Sequence, residues 1–116
     1  MKPRLLIVVT EDPRTSRRPA EAARIAAGVA AWQRVEVTLF LHGPAVHALG
    51  EFANELADGE NFERYLPLFT EHHRPIFAQQ GASELAELGQ PPVKFQLATE
   101  HQLAALAAGS DCVLRF

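Results

Sequence analysis

The feature that most constrains the fold is an apolar run of strand length near the start of the chain. Residues 5–10 have the sequence LLIVVT, without the polar–apolar alternation that marks a strand with one solvated face. Such a run is typical of a strand covered on both faces, as in the middle of a parallel sheet. Parallel strands need long crossover connections, which usually contain a helix and are right-handed. The run therefore predicts an α/β fold with helices on both sides of the sheet.

The rest of the chain alternates between extended and helical patterns. The predicted strands lie at residues 5–10, 35–41, 74–80, 93–98 and 112–116. The predicted helices lie at residues 19–33, 45–57, 61–72, 83–88 and 99–108, and the segment 45–57 is short and irregular. The last helix is expected to begin with a capping box formed by Thr99 and Gln102. Pro67 is expected to kink or shorten its helix, because proline cannot donate the helical hydrogen bond. The pattern predicts one domain over residues 1–116, a three-layer α/β/α fold with a mainly parallel five-stranded sheet.

Composition and charge exclude several classes of protein. Of 116 residues, 47% are hydrophobic and 22% are charged, as in globular domains, and no apolar run approaches the roughly 20 residues of a membrane span. The first 34 residues contain seven basic and three acidic residues, a net charge of +4, and the remaining residues carry −7. Nucleic-acid binders cluster more positive charge among aromatic residues, so we predict neither nucleic acid nor a membrane as partner. Since no signal-peptide pattern is present, the protein is expected in the cytoplasm.

Polar residues follow the predicted strands, at the edge of the sheet where ligands of open α/β folds bind. The turn after the third strand offers amide hydrogen bonds and a glycine that lets backbone approach a ligand, but it carries no nucleophile. Ser83 is expected to cap the following helix. The histidines have no zinc-like spacing and no phosphate-binding glycine motif is present, so we predict neither a metal nor a cofactor. The predicted ligand-binding residues are Thr10, His42, Gln79, Gln80, Gly81 and Ser83.

Two other features allow a catalytic interpretation. Glu11 and Asp12 would act as an acid and a base only if burial raised one pKa, which this charged loop does not favour. Cys112 is the only cysteine, so an internal disulfide and a site with several thiolates are excluded. Because it lies in the predicted apolar last strand, Cys112 is expected to be a small buried hydrophobic residue. The alternative is a relocated reactive thiol.

Five segments carry a resemblance to a known family: LLIVVTEDP, RPAEAARIAAGVAAW, VTLFLHGPAV, GASELAELG and HQLAALAAGSDCVLRF. In this layout the chain resembles the DsrE/DsrF-like sulfur-relay family, and its TusD-type members in particular, over nearly its whole length. The resemblance implies a three-layer α/β/α domain that assembles as trimers, hexamers or hetero-hexamers. In active members, a cysteine just after the third strand carries sulfur as a persulfide. In this sequence Gly81 stands at that position.

The resemblance and the missing cysteine together predict a non-catalytic DsrE-like domain, a structural, ligand-binding or partner-binding component related to sulfur trafficking. The alternative is a sulfurtransferase or persulfide carrier that uses Cys112. The expected partners are further copies of the chain, as a trimer or hexamer, or related DsrE-like subunits. The middle third of the chain has more large aromatic side chains than one thin helical layer needs to bury. Those left exposed would form an apolar surface, which also predicts self-association. The aromatic side chains are those of Phe52, Phe62, Tyr65 and Phe69.

Overall fold

The computed structural model describes residues 2–116 and contains one sheet of five parallel strands. The strands are β1 (Arg4–Val9), β2 (Glu36–Leu41), β3 (Ile76–Gln79), β4 (Gln96–Ala98) and β5 (Cys112–Arg115). Their order across the sheet is β4-β3-β2-β1-β5, and every neighbouring pair is parallel. The helices are α1 (Arg18–Trp32), α2 (Glu60–Glu71) and α3 (Glu100–Ala108), with short 3-10 helices at Gly43–Leu49, Ala53–Glu55 and Ser83–Glu87. The predicted α/β class with a parallel five-stranded sheet is confirmed.

Helices cover both faces of the sheet, which explains the apolar run in β1. Ile7 and Val9 pack into the larger core, between the sheet and the helices α1 and α2. Leu6 and Val8 lie on the opposite face and pack in the smaller core with side chains of α3. Because successive side chains of a strand alternate between the two faces, a strand inside a three-layer domain needs apolar residues at every position.

The first helix lies close to the sheet because its buried face consists of small residues, among them Ala22, Ala26 and Ala30. Trp32, the last residue of this helix, is 65% exposed. It follows Ala30 by two residues, which is about 200° around a helix of 3.6 residues per turn, so it points away from the sheet. Within residues 2–116, no helix has the length and the apolar character needed to cross a bilayer.

The second helix continues through Pro67 to Glu71, so of the two effects expected of this proline the shortening is wrong. Phe62, Leu66 and Phe69 form its buried stripe, on both sides of the proline in the sequence. Packing of an amphipathic face supplies most of the stability of a helix in a protein. Burial of the stripe therefore offsets the one backbone hydrogen bond that the proline cannot donate.

The aromatic residues of the middle third are less exposed than the sequence analysis predicted. Phe62 and Phe69 are buried in the larger core, and Tyr65 is half-buried against it. Phe52 is the exception, with 66% of its surface exposed. The second helix packs against the first helix, and its buried aromatic residues share the larger core with side chains of the sheet, so it buries more aromatic surface than one isolated helical layer would.

Candidate functional site

Three side chains meet at the carboxyl edge of the sheet. They belong to His42, which follows β2, to Gln79 at the end of β3, and to Glu100 at the start of α3. Gln79 Nε2 donates to Glu100 Oε1 at 3.1 Å, and His42 Nε2 contacts the same oxygen. We call these three residues the strand-end cluster. One carboxylate oxygen therefore joins two neighbouring strands to the helix that follows β4.

The register of the sheet places His42 and Gln79 side by side. Leu41 of β2 pairs with Ala78 of β3. The residues that follow them, His42 and Gln79, therefore lie just beyond this pair, with their side chains on the α3 side of the sheet. The Gln79 side chain is fixed further by Gly43, whose backbone N–H donates to Gln79 Oε1 at 2.7 Å. Gly43 has a φ of +58°, a left-handed conformation that glycine adopts without strain. The glycine just after the second strand therefore orients the Gln79 side-chain amide at the end of the third strand.

Glu100 is the member of the cluster that the sequence analysis did not predict. It is the first residue of α3, directly after the N-cap Thr99. The predicted capping box is confirmed, since Gln102 N donates to Thr99 Oγ1 at 3.1 Å and Thr99 N donates to Gln102 Oε1 at 2.7 Å. A carboxylate in the first turn is also stabilised by the positive end of the helix dipole. The capping box revealed where the helix begins, but only the strand order reveals that its first residue lies beside β3.

The turn after β3 lies beside the cluster. Gln80 N donates to Ala98 O at 2.8 Å, and Gly81 has a φ of +84° with open space where a Cβ would stand. Ser83 is exposed, and its hydroxyl donates to Glu84 Oε1 at 3.4 Å. The predicted capping role of Ser83 is wrong, because the tight turn makes Ala82 the N-cap and leaves Ser83 already inside a five-residue 3-10 helix.

Thr10 lies at the same edge of the sheet but on the other side of β2. Its backbone N–H and its hydroxyl both donate to Phe116 O, at 2.7 Å and 3.3 Å. Thr10 therefore joins the end of β1 to the end of β5. Of the six predicted residues, His42 and Gln79 contact the Glu100 carboxylate directly. The other four lie at the same edge of the sheet but do not contact this carboxylate. Ligand binding by these residues remains a prediction.

The loop between β1 and α1 holds its carboxylates in ion pairs with arginines. Arg14 Nη2 donates to Asp12 Oδ2 at 2.8 Å, and this hydrogen bond holds the pKa of Asp12 below its ordinary value. Glu11 pairs with Arg18, whose Nε lies 2.8 Å from Glu11 Oε2. A general acid at neutral pH needs a raised pKa, which is the opposite of what Arg14 does to Asp12. The loop does not have the arrangement of an acid–base pair.

Cys112 is exposed, so its predicted burial is wrong. It begins β5, an edge strand that pairs with β1 alone and therefore has a sheet neighbour on one side only. In the register of that pair Cys112 lies opposite Leu5, near the amino end of β1. The strand-end cluster lies beyond the carboxyl end, about 16 Å further along the strands at 3.3 Å per residue. A thiol on Cys112 therefore cannot reach the cluster of its own chain.

The strand-end cluster offers hydrogen-bonding groups and no nucleophile. The Glu100 side chain is 63% exposed and the His42 side chain 33%, so solvent and a ligand can reach both. His47 contacts Glu87 at 3.6 Å, outside the cluster. Among residues 2–116, no group of three His, Cys, Asp or Glu side chains has an arrangement that could hold a metal ion. The geometry suits recognition of a polar group through hydrogen bonds.

The chain has a DsrE-like α/β/α fold, which its likeness to a solved structure shows. The ychN protein from E. coli has this fold, and its crystal structure matches the present one with a TM-score of 0.78 and 22% sequence identity. The match covers 100% of this chain and 100% of that chain. Likeness at this identity shows the fold alone, since one fold supports many different sites. No family model matches the sequence, and no curated protein matches it.

Proposed function

We propose that the chain is a non-catalytic, self-associating DsrE-like domain whose strand-end cluster binds a polar ligand or a partner protein related to sulfur trafficking. The observation that carries this proposal is the separation of the thiol from the cluster. Cys112 lies near the amino edge of the sheet, whereas His42, Gln79 and Glu100 meet at the carboxyl edge. A persulfide carrier needs its thiol among the groups that activate it. The cytoplasmic location predicted from the sequence belongs to the same proposal.

The cluster favours a ligand that donates hydrogen bonds. Both contacts within the cluster use Oε1 of Glu100, and the carboxylate lies on an exposed side chain. Its second oxygen, Oε2, accepts hydrogen bonds from N–H or O–H groups that approach from solvent. Gly81 has no side chain, and its positive φ favours glycine at this position. A ligand or a peptide segment can therefore approach the backbone of the adjacent turn.

The exposure of Cys112 favours one second function, that of a sulfurtransferase or persulfide carrier. In that reaction the cysteine thiolate attacks the outer sulfur of a donor persulfide, a new S–S bond forms, and the donor leaves as a thiol. Any exposed cysteine undergoes this reaction to some extent, so loading alone does not identify a carrier. The two functions differ in whether the strand-end cluster influences the thiol.

We expect Cys112 to react as an ordinary exposed cysteine. Mass spectrometry after treatment with a persulfide donor should show one added sulfur in the wild type and none in Cys112→Ser. Glu100→Gln should load sulfur, and react with iodoacetamide, at the wild-type rate, because its side chain lies at the opposite edge of the sheet. A sulfur adduct that passes to an acceptor protein and forms more slowly in Glu100→Gln would instead establish the sulfurtransferase.

Self-association is supported by an apolar surface on the outer side of α1 and α2. Ala31, Tyr65 and Leu68 line one shallow depression there, with Arg24 and His72 beside them, and Trp32 is the next residue of the chain after Ala31. Leu68 is 41% exposed and Trp32 is 65% exposed. We call Ala31, Trp32, Tyr65 and Leu68 the assembly surface. Contiguous exposed apolar residues mark interaction sites, and identical chains bury such a surface by forming a symmetric assembly.

We expect light scattering at micromolar concentration to give a mass several times that of one chain. Leu68→Glu should shift the mass toward that of a single chain, because it places a charge in the centre of the assembly surface. The matched control is Leu97→Glu, which makes the same change at an exposed leucine outside this surface. A wild-type protein that is monomeric at micromolar concentration would contradict the proposal.

A further inference from the structure

A cavity of about 480 Å³ lies on the α3 side of the sheet, at the edge opposite the strand-end cluster. A helix is about 10 Å wide, whereas five strands span about 19 Å, so α3 leaves part of this face uncovered. We call this cavity the α3 groove. Its lining includes Arg4, Thr38, Arg74, Phe77, Ala105 and Leu106.

The charge of the α3 groove centres on Arg74, which is half-buried and precedes β3. Its Nε donates to Val37 O at 2.9 Å, which anchors the guanidinium to the backbone of β2. Within residues 2–116, no carboxylate forms an ion pair with Arg74. The two terminal nitrogens therefore remain as hydrogen-bond donors without a charged partner, held by an anchored side chain.

The groove is net positive, because a glutamate balances its second arginine and Arg74 has no such partner. Arg4 Nε lies 3.5 Å from Glu36 Oε2, and both residues line the groove. Arg4 and Glu36 largely balance each other, so the charge of Arg74 stays uncompensated. Two arginines against one glutamate favour an anionic occupant, and a guanidinium with two free terminal nitrogens matches the two oxygens of a carboxylate.

The walls of the α3 groove are apolar. Phe77 and Leu106 pack at the margin of the smaller core and remain partly exposed to the groove, and Ala105 lies beside them on α3. The volume lies within the roughly 300–1,000 Å³ of small-molecule sites, which combine apolar walls with a few polar groups. A bare inorganic anion would leave these walls in contact with water, whereas an organic anion would cover them.

We propose that the α3 groove binds a small amphipathic carboxylic acid. The carboxylate contacts the terminal nitrogens of Arg74, and the hydrocarbon or aromatic body packs against Phe77 and Leu106. This site lies at the opposite edge of the sheet from the strand-end cluster and does not depend on the function proposed for that cluster.

The test is a fluorescence titration with anilinonaphthalene sulfonate, an aromatic anion, followed by displacement with decanoate. We expect saturable binding to the folded wild type and full displacement by decanoate. Arg74→Gln should weaken binding of both by about tenfold or more, as expected for the loss of a charge-assisted hydrogen bond. Ala105→Trp should abolish binding by filling the groove without a change of charge. Circular dichroism and thermal unfolding establish that each variant is folded.

The matched control is Lys94→Gln, which removes the same charge from an exposed residue that does not line the α3 groove but lines the neighbouring cavity, to which Arg74 also contributes. It should bind both compounds as the wild type does. Wild-type affinity in folded Arg74→Gln, or the absence of saturable binding, would overturn the proposal. Displacement by inorganic phosphate at the concentrations at which decanoate acts would also overturn it, because the site would then recognise charge alone.

Discussion

Replacing Phe69 with alanine is expected to lower the free energy of unfolding by about 3–5 kcal/mol. Phe69 is fully buried in the larger core, where α2 packs against α1 and the sheet. The substitution removes the ring and leaves a cavity that the parallel sheet can close only in part. Domains of this size have a total stability of about 5–15 kcal/mol, so a large share of it would be lost. Urea denaturation followed by circular dichroism measures the difference.

Phe52→Ala provides the matched comparison, since it removes the same ring from a position that is 66% exposed. It should change the free energy of unfolding by no more than about 0.5 kcal/mol. Both phenylalanines are candidates for an exposed surface when only the sequence is considered, so comparing the two variants distinguishes a buried position from an exposed one. Equal losses in the two variants would mean that Phe69 is not in the core.

Gly59→Ala is expected to destabilise the domain by about 1–3 kcal/mol, the typical cost of forcing atoms into a well-packed site. Gly59 is the buried N-cap of α2, and an added Cβ would stand 2.6 Å from the carbonyl carbon and oxygen of Asn54. These atoms belong to the backbone, so the 3-10 helix Ala53–Glu55 would have to move. The φ of Gly59 is −60°, an ordinary value for alanine, so the loss would arise from the contact alone.

Gly109→Ala is the control for this clash. Gly109 also lies at a helix end and has an ordinary φ of −86°, but the nearest atom to an added Cβ is Ala105 O at 3.5 Å, a normal contact. We expect its free energy of unfolding to stay within about 0.5 kcal/mol of the wild type. If thermal or chemical unfolding shows Gly59→Ala to be as stable as Gly109→Ala, the packing of α2 against the preceding 3-10 helix is not as described.

Local patterns in the sequence determined most of the elements of the fold. The apolar run of β1 predicted a strand covered on both faces, and its side chains occupy both cores. Thr99 and Gln102 predicted the start of α3 because a capping box needs only residues three positions apart. Such patterns depend only on residues that are close in the chain, so they can be recognised without knowledge of the tertiary structure. Two local signals failed. The second helix continues through Pro67 because its buried stripe outweighs a local preference, and Ser83 does not cap its helix because the tight turn makes Ala82 the N-cap.

The candidate site depended on the order of the strands, which no local pattern contains. The sequence placed His42 and Gln79 after strands, but it did not determine that β2 lies beside β3 and β3 beside β4. That order brings Glu100 to both side chains and makes β5 an edge strand, which exposes Cys112. Strand order follows from burial of the whole apolar surface at once, and the contacts that decide it join residues far apart in the chain.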